Sequence, residues 1–338
     1  MKRMSFIVLA GLWLQGPPAL PADIIPLPGL VQPKDVIINN DQLLIAGFPE
    51  VCVYSLKDFK LIARFGKDGR GPQEFSSYVK LQYHPQYIVV SSKKKVSFFD
   101  RQGNFIKELV PKSPTATVDE FKPLGDRFIV YGEVHEGNTL FNTMEIFDGS
   151  LQKTKEIVRW PAVHQLGRGF DPVDIDMKGA EFQVYDGTIF LLFRESGIVR
   201  GFDGRGKALF TTDYHFERIP MPAEIRNEFH EFLKTAPGYK DVYESIKHEI
   251  KFKDHFQAAQ RIVVTDDKIY ALTFKKDGDK REFVILDTRG KFIKKVMVPF
   301  KNADPRMPFP FTVHDGQLYQ LITNSASSGC ELHINPIR

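Results

Sequence analysis

The sequence predicts an all-β chain, a six-bladed β-propeller with four-stranded blades, an N-terminal strand that closes the last blade, and one inserted αα-hairpin. Three observations predict it: a strand-turn phrase that recurs six times, six strand pairs that precede those phrases, and an apolar segment ahead of the first pair that the first blade does not need.

The phrase reads Val53-Tyr54-Ser55, Phe98-Phe99-Asp100, Ile146-Phe147-Asp148, Gly201-Phe202-Asp203, Ile285-Leu286-Asp287 and His333-Ile334-Asn335. Each copy ends on a small polar residue suited to opening a turn. The polar residues stand 45, 48, 55, 84 and 48 positions apart, close to the length of one four-stranded blade except at 84. Strand pairs precede the phrases around residues 36–46, 79–91, 121–131, 181–193, 262–273 and 311–323. Most are split by a polar turn, such as Asn40-Asp41, Asp186-Gly187, Asp266-Asp267 or Asp315-Gly316.

The last blade runs out of chain three residues after Asn335. The segment Ile24-Ile25-Pro26-Leu27-Pro28-Gly29-Leu30-Val31 is the predicted fourth strand, and its two prolines suit an outermost position, where N–H groups are not needed for pairing. Closing the ring in this way removes an open sheet edge. The long spacing holds an insertion at 213–259 between blades 4 and 5. Ile225, Phe229, Phe232 and Leu233 form one helical apolar stripe, and Tyr239, Val242, Tyr243, Ile246 and Ile250 form a second, with Ala236-Pro237-Gly238 between them.

Residues 1–22 carry the layout of a secretory signal peptide: Lys2-Arg3, an apolar run from Met4 to Leu14, and a small-residue stretch ending at Ala22. The expected mature chain is 23–338, a single propeller domain exported to a periplasm or the extracellular space, with no membrane span. Lys2 and Arg3 are the only charged residues of the leader, so 44 basic residues face 42 acidic ones afterwards, a net of +2. A balance so near neutral argues against nucleic acid as a partner. Cys52 and Cys330 fall near the start of the third strand of blades 1 and 6. Equivalent points on neighbouring blades are expected to lie beyond bridging distance, so two separate buried thiols are predicted.

At Phe65-Gly66-Lys67-Asp68-Gly69-Arg70-Gly71-Pro72-Gln73-Glu74-Phe75 the chain resembles the NHL-type repeat, whose outer strand runs into a Gly-rich loop ending Gly-Pro-Gly-Glu-Phe; here Gln73 stands in for the last glycine. Together with Phe99-Asp100-Arg101-Gln102-Gly103-Asn104-Phe105-Ile106, this resembles the exported bacterial six-bladed propellers of the NHL-repeat or TolB-like group. The glycines are expected to supply positive φ and a tight crossing between blades, with Glu74 capping or pairing locally. A phosphate-binding reading lacks the following helix and the Gly-Lys-Ser/Thr ending.

In an up-and-down propeller, the fourth-to-first connections and the second-to-third turns share one face. The long connections fall there, so the binding site is expected on that face over the central channel. The candidate binding residues are Arg70, Gln73, Trp160, His164, Arg168, Arg261, Arg306 and Phe309, aromatic and bidentate groups suited to a protein, peptide or carbohydrate ligand. Asp171, Asp174 and Asp176 depart from the calcium-loop spacing. His84 and His314 sit in first-to-second-strand turns, and no Gly-x-Ser-x-Gly elbow occurs. No catalytic residue, metal ligand or cofactor is assigned. Some propellers of this architecture are metal-dependent lactonases or lyases, and such a hydrolase or lyase is the alternative expectation. The polar residues of the inner strands, Asn39, Lys80, Gln82, Glu120, Glu181 and Gln183, follow no convergent spacing in sequence.

Overall fold

Six antiparallel four-stranded sheets form in the order read along the chain. The computed structural model describes residues 23–30, 32–75, 79–92, 95–110, 121–137, 139–162, 179–302, 308–324 and 329–338; the expected leader lies outside them. The innermost strands are Asp35–Asn39, Lys80–Gln82, Phe121–Leu124, Ala180–Tyr185, Arg261–Thr265 and Phe311–His314. Each contacts the next, and the last contacts the first, so the blades close a ring.

Six clusters of buried apolar residues lie one between each pair of neighbouring blades, and a seventh lies beneath the insertion. Alternation along a strand explains this. In the second strand of blade 5, Lys268–Asp277, Ile269 and Ala271 join the cluster shared with blade 4, whereas Tyr270 and Leu272 join the one shared with blade 6. A sheet buried on both faces must read as a continuous apolar run, and Lys268–Asp277 does from Ile269 to Leu272.

The Asp that ends four of the six phrases caps the following turn. The carboxylate of Asp100 accepts from the backbone N–H groups of Gln102 and Asn104, Asp148 from Ser150 and Gln152, Asp203 from Arg205 and Lys207, and Asp287 from Arg289 and Lys291. The position before the second donor is left-handed in all four, at Gly103, Leu151, Gly206 and Gly290. Backbone donation, from Lys207 first, holds the Asp203 carboxyl below its usual range. A depressed folded-state value contributes stability above the ordinary carboxylate pKa and loses it as pH falls through the depressed one. Asp203→Ala is therefore expected to lower the melting temperature near neutral pH, by an amount that shrinks on acidification; parallel melts of parent and variant down to about pH 2 check it.

Asp23–Leu27 pairs antiparallel with Gly329–Pro336, with Leu27 opposite Cys330 and Pro26 opposite Glu331. The N-terminal segment thus closes blade 6 from its outermost position, where prolines cost no sheet bond. Cys52 and Cys330 are buried free thiols in the core between blades 6 and 1. Burial raises both, Cys330 to about 12.

The insertion begins as expected with helix α1, Ala223–Thr235, which buries Phe229 and Leu233. It packs through Phe229 with Met221, Phe256 and Phe274, the last on the second strand of blade 5. The predicted second helix is reduced to one turn, α2, Tyr243–Ile246. Only Tyr243 of that turn is buried and Val242 stays exposed, so little apolar burial supports a longer helix.

The Gly-rich loop is closed locally. Glu74 accepts from Gly71 N–H at 2.8 Å and pairs with Lys67 at 3.1 Å, which lowers its carboxyl pKa, the Gly71 bond contributing most. Gly66 and Gly69 hold positive φ, but Gly71 does not; a Cβ there would lie 3.1 Å from Glu74 Oε2. Gln73 has φ 63°, a left-handed conformation that favours glycine. An L-residue in this region costs about 1–2 kcal/mol, partly offset by the larger unfolded-state entropy of glycine, about 0.5–1 kcal/mol. With its exposed side chain removed, Gln73→Gly is expected to stabilise the protein by about 0.5–1 kcal/mol, checked by denaturant unfolding.

Candidate functional site

The inner strands of all six blades line one cavity of about 920 Å³ along the propeller axis. It extends from Asn40, Tyr185 and His314 at the short turns to Gln257, Gln260 and Phe309 on the long connections. Polar residues at the start of the inner strands stitch the blades together there. Asp35 of blade 1 accepts from Val36 N–H and from Leu81 N–H of blade 2, the latter at 2.9 Å. Lys122 of blade 3 donates to the Phe182 carbonyl of blade 4. Gln183 of blade 4 accepts from Val264 N–H and donates to the Ile262 carbonyl of blade 5.

Arg261 opens the innermost strand of blade 5 and reaches three other blades. Its Nε lies 3.4 Å from Glu181 of blade 4, its Nη2 4.0 Å from Asp35 of blade 1, and its guanidinium 5.1 Å from the ring centre of Phe311 in blade 6. Four blades thus meet around one cation. Behind this wall the buried Arg281 donates to Gln260 Oε1 at 3.0 Å and to the Thr273 carbonyl; burial pushes its pKa down to about 10.

Of the residues nominated from sequence, Arg261 and Phe309 line this cavity. Arg70 and Gln73 are exposed on the Gly-rich loop and do not line it. His164, Arg168 and Arg306 lie outside the described residues. Trp160, expected on a loop, belongs instead to the outermost strand of blade 3, Lys153–Pro161, because the third strand reaches back to Thr139 and offers Asn142 as its partner. Its ring packs between blades, 6.1 Å from Tyr131 and 5.6 Å edge-on to Phe193. It also borders a separate groove of about 330 Å³ with Glu195, Arg200, Lys253 and Gln257.

The inner-strand residues that follow no spacing in sequence prove to be the convergent ones: Lys80, Gln82, Glu181 and Gln183 all face the axial cavity. Asn39 instead donates to the His84 and Tyr87 carbonyls, and Glu120 lies outside the described residues. His84 serves its turn, accepting at Nδ1 from Gln86 and Tyr87 N–H, and burial lowers its pKa. Among the described residues no three His, Cys, Asp or Glu side chains stand together as a metal site, and no helix is long and apolar enough to cross a membrane.

No family model matches the chain, and no curated protein matches it by sequence. Solved structures do. A candidate exported protein of Bacteroides fragilis NCTC 9343 superposes with a TM-score of 0.57 at 10% identity, covering 94% of this chain and 95% of its own. A DUF4221-family protein of Bacteroides vulgatus ATCC 8482 superposes with a TM-score of 0.54 at 11% identity, covering 94% and 96%. At such identities the likeness is one of fold: a six-bladed propeller of the same extent, whose B. fragilis neighbour is named for export.

Proposed function

We propose that this chain is an exported, non-catalytic binding module whose protein, peptide or carbohydrate ligand seats in the axial cavity where it opens among the long inter-blade connections. One observation carries this reading: a cavity of about 920 Å³ whose wall draws on all six blades and is braced by Arg261 between Glu181 and Asp35. Pre-formed concave sites with a few fixed polar groups are the usual seats of ligands. Export rests on the leader layout of residues 1–22, and membership of the NHL-repeat or TolB-like group on the loop 65–75, where Gln73 adopts a positive φ that glycine favours.

The test is capture from an envelope extract by the mature protein. Phe309→Ala, at the cavity mouth, is expected to lose the captured material, and Trp160→Ala, at the side groove, to retain it. The reverse pattern would move the site to the groove between blades 3 and 4.

A further inference from the structure

A β-bulge interrupts the outermost strand of blades 1 to 5, always at its second residue. That residue has no partner across the ladder: Ile62, Ile106, Thr154, Leu209 and Ile293 in turn. The extra residue of a bulge bends the strand and re-aims a side chain. Thr154 shows that a polar residue serves the position, and its hydroxyl donates to the Ile146 carbonyl at 3.0 Å. The other four are aliphatic and 44–54% exposed, so the bulge alone does not account for them.

Scattered exposed aliphatics need no explanation. Those of blades 4 and 5 form a patch. Leu209 adjoins Phe210, whose ring lies against the blade 5 turn, where a Cβ at Gly290 would come within 3.0 Å of it. Phe292, 48% exposed, precedes Ile293 and stacks on Tyr214 of the connection between the two blades, with ring centres 5.1 Å apart and planes 6° from parallel.

The charge around this patch is largely of one sign. Segments 203–211 and 287–299 carry Arg205, Lys207, Arg289, Lys291, Lys294 and Lys295 against Asp203 and Asp287, and both aspartates are committed to the backbone of their own turns. All six bases are exposed. Lys295 lies over the Tyr214 ring at 5.9 Å, and the other five form no ion pair among the described residues. On blades 1 and 2 the bases beside the bulge are taken: Lys60 pairs with Asp58, Arg64 with Glu50 and Arg101 with Asp41.

We propose that the rim of blades 4 and 5 docks on an anionic lipid bilayer, with Leu209, Phe292 and Ile293 entering the boundary between headgroups and acyl chains and the bases meeting lipid phosphates. Interfacial association draws on apolar burial together with attraction to negative headgroups, and this rim offers both side by side. A nucleic acid or other soluble polyanion would use the bases and leave the aliphatics in water. None of these residues lines the axial cavity, so the reading of that cavity stands or falls separately.

The test is sedimentation of the protein of residues 23–338 with vesicles of phosphatidylcholine, alone or with about 30% phosphatidylglycerol, at about 0.1 M and about 0.5 M salt. Binding to the anionic vesicles is expected to be at least tenfold tighter than to the neutral ones, and to weaken at least tenfold at the higher salt. K207Q/K291Q/K294Q and L209T/I293T are each expected to weaken it at least fivefold with melting temperatures near the parent's, since threonine already stands at the same bulge in blade 3. I62T/I106T, the same change on blades 1 and 2, is expected to bind as the parent does. Equal binding to the two kinds of vesicle, binding to neither, undiminished binding in the lysine variant, or an equal loss in I62T/I106T would each overturn the assignment. Loss in the lysine variant with L209T/I293T unchanged would also overturn it, in favour of a soluble polyanion.

Discussion

A protein of residues 31–338 is expected to melt about 10 °C or more below one of residues 23–338 and to aggregate on heating. The segment supplies the whole outermost strand of blade 6, Asp23–Leu27, and two buried side chains, Leu27 at 1% and Leu30 at 5% exposure. Losing a buried leucine costs roughly 2–5 kcal/mol. Two of them give a loss of about 5 kcal/mol or more, and in a chain of this size each kcal/mol moves the midpoint by about 2 °C. The deletion also bares the ladder groups of Gly329–Pro336, an edge that other chains can pair with. Leu27→Ala isolates the packing contribution, with an expected loss of about 2–5 kcal/mol and no aggregation. Calorimetry with light scattering measures both. A deletion that melts with the parent would mean that blade 6 does not need its N-terminal strand.

That strand was legible from sequence because two independent shortages met: a last blade without a fourth strand and an apolar segment without a blade. The blade rhythm was legible for a similar reason. The Asp of Phe98-Phe99-Asp100 and its three copies caps the turn that follows, so the same local chemistry recurs where the third strand ends in blades 2 to 5. The second helix was over-read. The stripe from Tyr239 to Ile250 has helical spacing, but spacing does not say whether a face is covered, and among the residues of α2 only Tyr243 is. Trp160 was misplaced because strand length in blade 3 is set by pairing with a third strand that begins at Thr139, information held some twenty residues upstream.

The site was harder to see than the blades. Lys80, Gln82, Lys122, Glu181, Gln183 and Arg261 are scattered along the chain, and nothing local relates them. What unites them is their place within the first four residues of an innermost strand. Ring closure brings those positions to one axis. The available signal was polar residues in strands that otherwise read as apolar, aligned by strand start and not by distance in sequence. Long connections, by contrast, are conspicuous in sequence and drew attention away from the wall: Arg70 and Gln73 are exposed on such a loop, away from the cavity.

Arg261→Ala is expected to destabilise the protein by about 3 kcal/mol, because it strips the cation from two carboxylates that remain largely out of solvent. The Asp35 and Glu181 side chains are 7% and 15% exposed. Removing one partner of a buried pair costs about 3–5 kcal/mol; the 27% exposure of Arg261 itself argues for the lower end through solvent screening. Arg261→Lys should recover only part of the loss, since a point charge cannot extend toward both acids and lie over the Phe311 ring as a planar guanidinium does. The decisive measurement is a double-mutant cycle by denaturant unfolding. If the cation and the acid act as one unit, Asp35→Asn combined with Arg261→Gln should cost at least about 1 kcal/mol less than the sum of the single changes. Additivity within about 0.5 kcal/mol would reduce the arrangement to proximity without coupling. Coupling would mean that blades 1, 4, 5 and 6 are held at the cavity by a single charge cluster, and that the wall offered to a ligand is preorganised by the same contacts that keep the ring shut.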